Sequence, residues 1–134
     1  MPVHASSLGR YAVVVAEGRY DPADLRAGID TAIARFPDGQ PNALLIDLSG
    51  SLEIAGRDIV QIRAMAFFLA SRGDTFGWRL AIVAPSIEAF GMIRLGSVTT
   101  ERRGLDTCVV RTLADAIDWL DTGRTSCEPE ASPQ

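Results

Sequence analysis

Apolar residues along this chain fall into short dense runs, separated by stretches in which they recur every three or four positions. The runs are Tyr11 to Ala16 (YAVVVA), Ala43 to Leu48 (ALLIDL), Arg79 to Ala84 (RLAIVA) and Thr107 to Val110 (TCVV). β-Branched and almost unbroken, they read as strands, and strands apolar on both faces belong inside a parallel sheet. The periodic stretches read as helices. Leu25, Ile29, Ala32, Ile33 and Phe36 form one stripe, Ile59, Ile62, Ala66 and Leu69 a second, and Leu113, Ala116, Ile117 and Leu120 a third. A further helix is expected from Ser86 to about Arg103.

Turn chemistry sets the boundaries. Asp21-Pro22 supplies an N-cap followed by proline at the first helical position, and Pro37-Asp38-Gly39 stops that helix. Gly73 is placed to end the second helix and Gly104 the third. Ser86 follows Pro85 as an N-cap, and Thr112 with Asp115 resembles a capping box in which Asp replaces the usual Glu or Gln. Strand and helix alternating four times predict an α/β fold, with a mainly parallel sheet of four to five strands and about four helices. One domain is expected over residues 1–121. Residues 3–8 are compatible with a short edge strand, and residues 122–134 have no apolar period and read as a disordered tail.

Composition narrows the function classes. The chain has 134 residues, 47% hydrophobic and 22% charged, with a net charge of −4. Its arginines are scattered, which argues against a nucleic-acid or anionic-membrane surface. Arg63 and Arg94 interrupt the longest uncharged runs, so no segment has the ~18 apolar residues of a membrane span. The amino terminus shows no charged region followed by an apolar block, and a cytoplasmic location is the expectation. Cys108 lies in an apolar run and Cys127 in the polar tail, so a disulfide framework is not expected. A single histidine, His4, leaves no metal-ligand spacing.

Parallel α/β sheets place ligands beyond the carboxyl ends of their strands. Here those ends hold no dinucleotide-type glycine spacing and no P-loop. Ser49 has a glycine after it but no elbow spacing, and only His4 could serve it as a base. Asp47 and Glu53 form the best acid pair. Two carboxylates can perform acid–base work or hold magnesium, but an acid at a strand end more often caps the next turn. No nucleophile or cation-binding partner accompanies them. No catalytic residue, cofactor or metal is therefore expected.

A strand ending LLIDLSG, a turn and helix, then RLAIVAP and a helix beginning SIEAFGMIRL resemble the SpoIIAA-like proteins of the STAS group, the anti-anti-sigma-factor-like domains. VVRTLADAIDWL at 109–120 is similar to the closing strand and helix of small stand-alone bacterial members. The resemblance covers roughly Tyr11 to Leu120; FGMIR at 90–94 and AIDWL at 116–120 carry most of it. It implies a SpoIIAA-like fold, a role in binding other proteins and no catalysis. Members regulated by phosphorylation carry Asp-Ser-Ser-Gly before the second helix. Aligned on Asp47-Leu48-Ser49 and Gly56, that turn falls on Glu53-Ile54-Ala55-Gly56 with one residue inserted. The acceptor position is Ala55, without a hydroxyl, so the switch is expected to be missing. Ser49 and Ser51 lie close by at non-matching positions.

Two helical segments, IVQIRAMAFFLA (59–70) and AFGMIRLGSVTT (89–100), carry one charge each. Either their few polar residues suffice as an exposed face, or their apolar residues beyond the inward stripe form a patch. Met92 is rotated by about 200° from Phe90 on a helix of 3.6 residues per turn, so one of the pairs Phe90/Ile93 and Met92/Leu95 needs another cover. The candidate surface comprises Ser49, Ser51, Phe67, Phe68, Met92 and Leu95. The expected function is a non-enzymatic protein-interaction module, signalling or regulatory in role, working as a homodimer or with another protein. The alternative is a carrier or sensor of a small apolar ligand or lipid, held between the Phe67/Phe68 and Phe90/Met92 helices; an enzyme ranks third.

Overall fold

Each apolar run lies in a strand because both faces of the sheet are covered. The computed structural model describes residues 2–37, 39–52 and 58–123. Its strands are β1 (Val3–Leu8), β2 (Tyr11–Gly18), β3 (Ala43–Ser51), β4 (Arg79–Val83) and β5 (Asp106–Val110). Its helices are α1 (Pro22–Ala34), α2 (Ile59–Ser71), α3 (Ile87–Arg102) and α4 (Leu113–Thr122). The strands form one five-stranded sheet in the order β1-β2-β3-β4-β5. The sheet is mixed, which corrects the mainly parallel sheet expected. β1 runs antiparallel to β2, whereas β2 to β5 pair in parallel. The cause is local: the two residues Gly9-Arg10, with Gly9 at φ 59°, leave room only for a hairpin.

The layering follows from handedness. Each of β2, β3 and β4 is followed by a helix and then a parallel strand on the same side of its predecessor. Right-handed crossovers all laid in one direction place every connecting helix on one face. Accordingly Leu25, Ile29 and Ala32 of α1, Leu69 of α2 and Ile93 of α3 share a core with Val14, Leu44, Ile46, Leu80 and Ile82. The alternate strand residues Val13, Leu45, Ala81, Val83 and Cys108 pack against Ala116, Trp119 and Leu120 of α4 on the opposite face.

The caps form as the sequence predicts. The Asp24 carboxylate accepts the Asp21 N–H at 3.2 Å, and Ser86 and Thr112 accept the N–H groups of Ala89 and Asp115, each at 3.1 Å. Asp58 caps α2, accepting from Gln61 N–H at 2.8 Å. Gly73 does not end α2 itself. The helix closes at Ser71, and Gly73–Phe76 form a 3₁₀ turn. Gly77 and Trp78 then turn into β4 with φ of 69° and 61°. A bulky residue in that region costs roughly 1–2 kcal/mol. The Trp78 ring rests where a Cβ on Gly73 would stand. Cys108 is buried and disulfide-bonded, with no free cysteine among the described residues. That differs from the expectation that no disulfide framework is present; Cys127 lies outside the described residues.

Two side chains tie α4 to the sheet. Arg79 donates to the carbonyl oxygens of Leu120 at 3.1 Å and Trp119 at 3.3 Å, satisfying the helix end, with its guanidinium 4.6 Å from the Trp119 ring. The Tyr11 hydroxyl donates to Asp121 Oδ1 at 2.6 Å. Burial, and then the bond to the Asp121 carboxylate, raise the Tyr11 phenol above its usual value. The neutral phenol thus contributes stability below about pH 10, and that contribution is lost as pH rises through the raised value. Tyr11→Phe should lower the urea midpoint at about pH 8 and flatten its fall toward about pH 11. Parallel profiles for both proteins would contradict this.

Candidate functional site

The stretch Asp47-Leu48-Ser49-Gly50-Ser51 is not a turn. β3 continues through it, and its register with β2 shifts: Val15 faces Asp47, but Glu17 faces Gly50. One extra residue on β3 makes a β-bulge. The Asp47 carboxylate accepts the Ser49 N–H at 3.0 Å within this irregularity. Asp47 therefore has the structural job of satisfying backbone. Glu53, its proposed companion, lies outside the described residues, as does Ala55.

The bulge also separates the two candidate serines. Simple alternation from Leu48 would turn Gly50 inward and Ser51 outward; the added residue reverses this. Ser49 is exposed, while Ser51 is buried. Ser51 Oγ donates to Ala16 O at 3.1 Å, so the Tyr20 hydroxyl, 2.8 Å away, is the donor to Ser51. Ser51 is a link in a buried hydrogen-bond chain and is inaccessible to a partner.

The phenylalanine pair divides in the same way. Phe68 packs on the core with the Arg72 guanidinium 4.5 Å from its ring centre, and Arg72 is itself held by Asp30 of α1 at 2.8 Å. Phe67 points out, 43% exposed, with the Arg103 guanidinium 4.5 Å from its ring centre. On α3, Ile93 is buried and Phe90 packs against the core, so this pair faces the sheet. Leu95 is 57% exposed and Met92 half-buried. Of the six residues singled out, Phe67 and Leu95 reach an apolar surface together.

Sequence reasoning missed most of that surface. Ile87 is 74% exposed and Val60 69%, and Val98 is also exposed. Ile87, Gly91, Leu95 and Val98 are spaced by four, four and three, one outward row along α3. Val60, Ala64 and Phe67 make the corresponding row on α2. α2 packs directly on α3, so the two rows lie on neighbouring helices. Gly96 permits the close approach: a Cβ there would lie 2.7 Å from Ile62 Cγ2. The signal was present as apolar residues just outside each inward stripe.

Behind these helices lies a cavity of about 80 Å³, between α1–α3 and the sheet. Tyr20, Leu48, Ile62, Met65, Ile93 and Gly96 are among its walls, and among the described residues no charged side chain lines it. No periodicity could reveal it, because its walls come from separate elements. The pocket is deeper than the expected one: Met65 and Ile62 line it, whereas Phe67 turns away.

Among the described residues, no three His, Cys, Asp or Glu side chains converge as metal ligands. Among the described residues strand order never reverses across the sheet, so the crevice that such reversals open in nucleotide-binding α/β proteins has no counterpart there. No helix of the described residues is long and apolar enough to cross a membrane. The chain is thus an α/β protein with a mixed five-stranded sheet, an outward apolar surface on two helices and an apolar cavity beneath them. No model of a known protein family matches it, and no curated protein matches it.

Proposed function

We propose that this chain is a non-enzymatic protein-interaction module of the SpoIIAA-like, STAS kind, and that it pairs with a second copy of itself through the outer faces of α2 and α3. The carrying observation is the outward row Ile87, Gly91, Leu95 and Val98 on α3, with a second outward row, Val60, Ala64 and Phe67, on the neighbouring α2. Apolar surface concentrated on two neighbouring helices usually marks an interaction site.

The charges on α3 favour a second copy as the occupant. Glu88 lies in its first turn and Arg102 in its last, both exposed. Each is seven residues from Leu95, and residues seven apart fall within ~20° of one another on a helix. Two α3 helices crossing antiparallel at Leu95 would set each Glu88 against Arg102 of the other copy. Such a contact is self-complementary, as a two-fold interface requires. A cytoplasmic regulatory role fits the resemblance; a phosphoserine switch at Ser51 does not, because Ser51 is buried and already bonded.

Concentration-dependent light scattering tests this reading. Glu88→Arg and Arg102→Glu should each weaken the dimer about tenfold, since both symmetric contacts become repulsive. The double reversal should restore it. A wild-type chain monomeric at every concentration, or a double reversal that fails to restore association, would refute the pairing.

A further inference from the structure

We propose that the cavity between the sheet and α1–α3 binds the alkyl part of a small neutral amphiphile, of which a medium-chain alcohol is the simplest case. Its size sets one limit. At about 10–15 Å³ for each water-sized group, 80 Å³ holds roughly five to eight such groups, enough for a short alkyl chain and too little for a whole lipid. Its polar chemistry sets the other. Ser97 donates its hydroxyl proton to Arg94 O at 2.7 Å, and Thr100 donates to Ser97 O at 2.9 Å. The Tyr20 hydroxyl donates to Ser51, whose own proton goes to Ala16 O. The wall hydroxyls therefore direct their protons into the protein, and among the described residues no cationic side chain lines the cavity. A carboxylate or phosphate drawn inside, beyond Gln61, would meet neither a free hydroxyl donor nor a counter-charge among the described residues. A hydroxyl head placed at the rim meets Gln61, which is exposed in the first turn of α2.

This site is independent of the pairing of copies, and Leu95→Lys should bind alcohols as the wild-type chain does. The test is a series of butan-1-ol, hexan-1-ol, octan-1-ol and decan-1-ol, followed by methyl NMR shifts of Met65 and Ile93 in the full chain. Affinity should tighten about fourfold per methylene until the chain fills the cavity at roughly six to eight carbons, and then level off. Hexanoate should bind at least about tenfold more weakly than hexan-1-ol. Ala66→Leu, which adds volume at the cavity wall, should remove the binding; Met65→Phe is a second filling variant should the first not fold. Affinity that climbs without levelling would indicate adsorption on the exposed helix faces and overturn the proposal. So would equal binding of hexanoate, absent shifts at Met65 and Ile93, or unchanged binding in a folded filling variant.

Discussion

Phe76→Ala is expected to cost about 3–5 kcal/mol, the range for deleting a buried aromatic side chain. Phe76 is 0% exposed and belongs to the core cluster of Leu44, Leu80 and Leu105. It lies in the 3₁₀ turn between α2 and β4, immediately before the two left-handed residues Gly77 and Trp78. The packing it provides holds that strained pair in place, so its loss should also free Trp78 to relax and return part of the cost. Against a typical margin of 5–15 kcal/mol, the variant should be at or near the edge of folding at 25 °C. A urea midpoint barely moved from the wild-type value would show that the turn is not anchored by this side chain.

Ile87→Glu combined with Leu95→Lys should convert dimer to monomer while changing stability by no more than about 0.5 kcal/mol, as surface substitutions usually do. Both residues are more than half exposed, at 74% and 57%, so the new charges remain hydrated. Ile93→Glu is the contrast. Ile93 is buried, and an unpartnered charge there should unfold the protein rather than release a partner. Sedimentation velocity with circular dichroism separates the two effects. A folded double variant that still sediments as a dimer would move the interface elsewhere.

The strands and caps were legible because their causes are local. Runs such as YAVVVA and RLAIVA are apolar on both faces, and Asp21, Ser86 and Thr112 act within their own helix turns. β1 was hard to read for the opposite reason. VHASSL is an edge strand with one buried residue, Val3, so alternation has little to record. The bulge in β3 was illegible because it exists only in the register between two chain segments, and it decided the fates of Ser49 and Ser51. Adjacent helix positions gave the same difficulty: Phe67 and Phe68 differ by about 100° of rotation, which decides surface or core. The reading of Met92 and Leu95 as a pair facing away from Phe90 and Ile93 held for Leu95. Met92 is only half-exposed, beside the neighbouring helix row.

Strand order in the sheet repeats strand order in the chain. Every pairing therefore joins consecutive strands, and no later strand has to be inserted between two already paired. The β1–β2 hairpin can close first, with a loop of two residues, and each following helix and strand can dock on the edge left by its predecessor. Loop-closure entropy grows only slowly with length, so these successive steps avoid the single large closure that makes long-range sheets slow to fold. On a ribosome, each completed layer would offer the emerging segment a finished edge. α4 then seals the opposite face after β5 is in place, leaving Val13, Leu45 and Ala81 uncovered on that side until α4 itself has been made.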